Sequence, residues 1–212
     1  MQVSSAKENI LKKIRQALAQ PVPVPFPHTE GSDPSFSKPD EELELLFAEN
    51  FTQLTGRFSF CANHQELATQ LQTLMNVRQW PALYCREQEW VDTLQQNGFA
   101  HLQQNNVANC TAAITSCEFL IARTGSIVLS SAQQSGRTVS VYAPVHICIA
   151  CTNQLVFDVK EGLQLLNNKY NSNWPSLVSF ATGPSRTADI EKTLVVGVHG
   201  PKEVFCFLVD AG

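Results

Sequence analysis

No apolar run in this chain approaches the roughly 18 residues that a membrane-spanning helix needs, so no membrane span is expected. Clusters of lysine and arginine are missing too, with or without interleaved aromatics, and the formal charge of -4 gives no net positive field. Nucleic acid and anionic membrane surfaces are therefore not expected partners. The first residues spread their charges through an amphipathic pattern and show no apolar export core, which makes the cytoplasm the expected compartment. Neither a G-x-G-x-x-G string nor a phosphate-binding lysine loop occurs, so the dinucleotide and P-loop classes lack their signatures. A nucleotide ligand is not thereby excluded, because anion sites at helix termini need no fixed string. The seven cysteines are odd in number and irregularly spaced, with no C-x2-C-x2-C run. Reduced structural thiols follow, with no metal, cluster or other cofactor held by this chain.

What is there suffices for one sizeable core. At 212 residues and 43% hydrophobic, the chain fits an N-terminal extension over residues 1–39 followed by a single α/β domain over residues 40–212. Residues 5–20 read as a helix, with Ser5 and Glu8 at capping-box spacing and Ile10, Ile14, Ala17 and Leu18 on one face. That apolar stripe needs a surface to cover, and a second subunit is the expected one. Pro21, Pro23, Pro25 and Pro27 impose an extended tether, so residues 21–39 read as a linker or wrapping arm.

Beyond the arm the pattern alternates. A helix over residues 40–55 is closed by Gly56, residues 57–62 read as a strand, and Asn63 with Glu66 opens a helix to about residue 77. Residues 82–85 read as a strand and 88–96 as a helix. Residues 119–122 and 127–129 flank a Thr-Gly-Ser turn and predict a hairpin. Residues 138–142 and 145–151 read as further strands separated by Pro144, residues 159–170 as a helix and 203–209 as a closing strand. Strands cluster in the middle, which points to a mixed sheet. Residues 177–180 form a short apolar run that reads as a buried strand, turned at its carboxyl end by Gly183-Pro184, where open α/β sheets bind ligands. Ser185, Thr187 and Asp189 are cap formers, and Ile190, Leu194 and Val198 keep i, i+4, i+8 spacing, so a helix is expected from near Thr187.

The string Gly183-Pro184-Ser185-Arg186-Thr187-Ala188-Asp189-Ile190-Glu191, with Ala122-Arg123-Thr124-Gly125-Ser126, Gly136-Arg137, Ala143-Pro144-Val145-His146 and Val198-His199-Gly200-Pro201, resembles the bacterial lactate-utilization protein C family. The resemblance runs in order from near Ala112 to Asp210. It implies a three-layer α/β/α fold with a mixed, mostly parallel sheet, similar to sugar-phosphate isomerases and CoA transferases. It also implies a role in oxidising L-lactate to pyruvate beside iron-sulfur and oxidoreductase partner proteins, without implying a reaction for this subunit.

The residues that can carry chemistry lie largely within those strings. His146 and His199 stand at element ends, and imidazole titrates near neutrality, so each is a candidate acid, base or metal ligand; the plainer alternative is a hydrogen-bonded structural histidine. Thr124, Gly125 and Ser126 can present hydroxyls and a bare N–H to a ligand, or simply form a turn. Gly183, Ser185, Arg186 and Thr187 can serve a carboxylate or phosphate, or cap a helix. Arg123, standing where the family's turn usually carries glutamate, is no nucleophile, but with Arg137 and Arg186 it can converge on an anion. The expected ligand is a small anion: a carboxylate, a phosphosugar or a CoA ester. Cys148 and Cys151 lie on a strand at i, i+3, hence on opposite faces, and read as buried structural thiols.

Overall fold

A computed structural model describes residues 5–19, 42–190 and 193–210. The chain divides into two compact units, Met1–Pro39 and Asp40–Gly212. In the first, helix α1 (Ser5–Leu18) occupies the segment that the capping box and apolar stripe predict; the proline arm falls outside the described residues.

The second unit begins with α2 (Leu43–Gln53), β1 (Arg57–Cys61), α3 (His64–Arg78), β2 (Leu83–Cys85), α4 (Gln88–Gln96), β3 (Leu102–Gln103) and β4 (Ala112–Thr115). A hairpin of β5 (Phe119–Ile121) and β6 (Ser126–Ser130) follows, then α5 (Val139–Tyr142), β7 (Val145–Cys151), β8 (Leu155–Val156), α6 (Val159–Tyr170), β9 (Val178–Ala181), β10 (Arg186–Ile190), β11 (Thr193–Val196) and β12 (Glu203–Val209). Local chemistry sets several of these bounds. Asn63 Oδ1 accepts from Glu66 N at 2.9 Å while Glu66 Oε2 accepts from Ala62 N at 2.8 Å, which starts α3. Asp158 caps α6 by accepting from Val159 N.

Six strands form one wholly parallel sheet in the order β1-β12-β7-β4-β2-β3. Its central strands are apolar on both faces, as parallel strands covered on both sides must be. Ile147 and Ile149 of β7 with Phe205, Phe207 and Val209 of β12 pack under Leu67, Leu71, Trp90 and Leu94 of α3 and α4. The alternate residues Cys148, Ala150, Val204, Cys206 and Leu208 face Phe47 and Phe51 of α2 and Leu120, Ile127 and Leu129 of the hairpin. A second sheet, β8-β5-β6-β9, carries the antiparallel pairs β5–β6 and β6–β9, and its outer face holds Phe119, Ile121, Val128 and Val156 against Leu166 of α6. The α/β class with a mostly parallel sheet flanked by helices is the one expected.

Three local expectations are corrected. The helix expected from Thr187 is a hairpin: β10 pairs antiparallel with β11, Thr187 opposite Val195. Thr187, Ile190, Thr193, Val195 and Val196 are β-branched, and their preference for extended backbone outweighs the capping residues; residues 191 and 192 lie outside the description. The strand expected over residues 138–142 is the single helical turn α5, because Val139 and Ala143, one turn apart, both pack against Tyr84 and Ala113. The run before Gly183 is an edge strand, with Phe180 exposed, because β9 has β6 as its neighbour on one side alone.

Candidate functional site

Three of the segments singled out in the sequence meet at the amino ends of β7 and β12. Pro144 O accepts from Lys202 N at 2.8 Å and from Glu203 N at 3.3 Å, which ties the approach to β12 against the approach to β7. Ser185 N donates to Pro201 O at 2.9 Å and Gly197 N to Ser185 O at 3.0 Å, so the Gly183–Arg186 segment braces the Gly197–Pro201 turn. Between them lies a cleft of about 500 Å³ lined by Val141, Tyr142 and Pro144 on one side and by Gly197, Val198, His199, Gly200 and Lys202 on the other. Gly197 adopts φ +80°, and a Cβ there would fall 2.2 Å from Lys202 Cγ. The glycine thus serves both the backbone turn and the passage of the lysine stem. His199 is exposed in this turn, not at a helix end. Tyr142 and Lys202, which no local pattern marks, complete the lining.

The other expected residues lie elsewhere. His146 is 1% exposed and shares a 2.8 Å hydrogen bond with Thr115 Oγ1 through Nε2. Burial pushes its pKa down to about 4, so the imidazole is neutral at pH 7. Thr124, Ser126 and Thr182 form a chain of hydroxyls, Thr124 to Ser126 at 2.7 Å and Ser126 to Thr182 at 2.8 Å. Gly125 sits against α2, where Asn50 Nδ2 donates to Ala122 O at 2.9 Å and Arg123 O at 3.3 Å.

Each of the three arginines has a partner of its own. Arg123 pairs with Asp158 at 2.9 Å, Arg137 donates to Ser176 Oγ, and Arg186 Nη2 donates to Leu54 O at 2.6 Å and Thr55 Oγ1 at 3.0 Å. Arg186 therefore places its charge on the carboxyl end of α2, where the helix dipole and a free carbonyl favour a cation. Thr55 there has φ +66°, a conformation a β-branched residue rarely adopts, and its hydroxyl is held by the same guanidinium. Replacing Arg186 by alanine is expected to lower stability by about 1 kcal/mol, read by urea denaturation, because the α2 terminus loses its clamp.

The carboxyl ends of β2 and β4 are arranged differently. From β2 the chain passes to α4 on one face, and from β4 to the hairpin on the other, the switch-point arrangement at which α/β sheets bind ligands. Here the chain fills that point with its own groups. The buried Glu87 accepts from Ser116 N at 3.0 and 3.1 Å, Gln133 donates to Ser116 Oγ at 2.8 Å, and Gln134 Oε1 accepts from Gln88 N at 2.8 Å at the start of α4. The sequence reading missed Glu87, which no motif marks.

Four of the thiols are poor nucleophiles. Burial raises Cys61 and Cys85 to about 12, and Cys117 and Cys148 hydrogen-bond to each other within the core with both pKa values raised. A thiol at such values stays protonated. Among the described residues no group of three His, Cys, Asp or Glu side chains is placed to hold a metal ion, and no helix is long and apolar enough to cross a membrane.

Comparison with known proteins places this geometry in a family. Lactate utilization protein C of Bacillus velezensis is 34% identical over 142 residues, 66% of this chain and 56% of that protein. The protein of the same name from Bacillus subtilis is 31% identical over 135 residues, 63% and 54% of the two chains. The chain thus spans about half the length of these curated relatives. A crystal structure of a DUF162 family protein from Deinococcus radiodurans superposes with a TM-score of 0.59 over 79% of this chain and 96% of that one, at 18% identity, a likeness of fold. The model of the LUD domain matches residues 45–209, and the chain belongs to the LUD domain family.

Proposed function

We propose that this protein acts in lactate utilization as an accessory or regulatory subunit, supporting the oxidation of L-lactate to pyruvate beside iron-sulfur and oxidoreductase partner proteins. The observation that carries the reading is its similarity, over about two thirds of the chain, to relatives named lactate utilization protein C. The geometry agrees with a binding role more than with catalysis at His146, since that imidazole is neutral, buried and turned to Thr115. Deleting the gene is expected to abolish or slow growth on L-lactate while leaving growth on pyruvate unchanged. Equal growth of the deletion and parent strains on L-lactate would overturn the reading.

A second reading, an isomerase- or transferase-like enzyme acting on a small carboxylate, phosphosugar or CoA ester, is favoured by one feature: His199 is an exposed imidazole at a cleft of small-molecule size. Turnover of such a substrate, lost in His199→Ala, would decide for it.

A further inference from the structure

We infer that the cleft at the amino ends of β7 and β12 is a binding site for a small monocarboxylate with a second oxygen beside the carboxyl group, a 2-hydroxy or 2-oxo acid. Among the described residues that line it, Lys202 is a cation and none is a carboxylate. A site so composed favours a ligand that brings the negative charge. The neighbouring carboxylate does not neutralise Lys202, because Glu203 is engaged by Arg78 at 2.6 and 3.1 Å and by Arg57 at 3.1 Å.

The number of charges argues for a monoanion. A phosphate dianion or a CoA ester calls for several converging donors, whereas the described lining offers one lysine beside the apolar Val141, Pro144 and Val198. With the carboxylate on Lys202, the His199 ring and the Tyr142 hydroxyl are left for the adjacent oxygen, either of them able to donate to a carbonyl or accept from a hydroxyl. The walls are already fixed by the bonds from Lys202 and Glu203 to Pro144 O and from Ser185 to the 197–201 turn, so binding orders little chain. One exposed ion pair with two hydrogen bonds gives a dissociation constant on the order of a millimolar. The anion site rests on the cleft alone; the choice of acid rests on the lactate reading.

The test is a titration of the full, isotope-labelled chain with L-lactate, pyruvate and inorganic phosphate, following backbone amide resonances by NMR, repeated on Lys202→Ala, Lys202→Arg and His199→Ala. Lys202 and His199 are exposed, so these variants keep the fold. The expected result is saturable shifts at residues 197–200 and 202 with one or both acids, weakened at least tenfold in Lys202→Ala and largely recovered in Lys202→Arg. Binding unchanged in Lys202→Ala, shifts confined to another surface, no saturation by either acid, or tighter binding of phosphate than of both acids would each overturn the assignment. The growth experiment fails separately: growth lost on deletion without acid binding leaves the lactate role and removes this site. Acid binding with growth intact does the reverse.

Discussion

Replacing Gly125 by alanine is expected to destabilise the domain by about 3 kcal/mol, the sum of two effects at one atom. At φ +59° a Cβ costs about 1 kcal/mol in backbone strain, and it would fall 2.6 Å from Phe51 N, 2.8 Å from Asn50 C and 2.9 Å from Phe51 Cα. Those atoms are helix backbone, so they yield only if α2 moves off the hairpin, an overpacking cost of roughly 1–3 kcal/mol. Gly136→Ala is the control: φ is +66° there but nothing lies within 4 Å, so strain alone of about 1 kcal/mol remains. In thermal unfolding the first variant should melt roughly 10 °C below the parent and the second a few degrees below. Equal losses in the two would mean that α2 does not pack against the turn.

Acidification should act through His146. Its folded pKa of about 4 lies below the ordinary 6.5, so between those values the unfolded chain binds the proton and the folded chain does not. Stability contributed by the neutral, buried ring is whole above pH 6.5 and falls as pH drops through the window toward 4, by roughly 3 kcal/mol in all. The carboxylates titrate in the same region, so the quantity to measure is a difference in slope. Unfolding free energies of the parent and of His146→Gln, compared from pH 7 to 4.5, should converge as pH falls, because glutamine takes up no proton. Parallel curves would show that the imidazole is protonated in the folded chain, contrary to its burial and its bond to Thr115.

Elements whose own residues settle their conformation were legible in the sequence. α3 follows from its cap and apolar spacing, α4 and α6 are placed within their observed bounds, and β7 and β12 follow from dense β-branched and aromatic runs. The errors fell where local signals conflict. At Ser185–Asp189 cap formers sit among β-branched residues, and at Val139–Tyr142 two valines imitate a strand although the partners of Val139 and Ala143 lie a helical turn apart. The separation of the four-stranded sheet from the six-stranded one was hidden because pairing partners are distant: β5 pairs β8, and β6 pairs β9. The candidate cleft was legible in part. Ser185, Gly183 and His199 belong to strings with recognisable turn chemistry, whereas Lys202, an exposed lysine before a strand, carries no signal until Gly197 and Pro144 are seen beside it. The three arginines illustrate the converse, since residue type suggested convergence and each is bonded to a different element.

The place of β12 has a consequence for how the chain is made. The strand formed by residues 203–209 lies between β7 and β1, so during synthesis β7 presents an open, apolar edge and β1 has no neighbour in its sheet until those residues emerge. The opening and closing strands of the domain must then find each other across nearly its whole sequence, a pairing that slows folding. Through that interval the edge of β7, with Ile147 and Ile149, is the surface most open to pairing with another chain. Arg57 at the head of β1 and Glu203 at the head of β12 form an ion pair that only the insertion of β12 brings together.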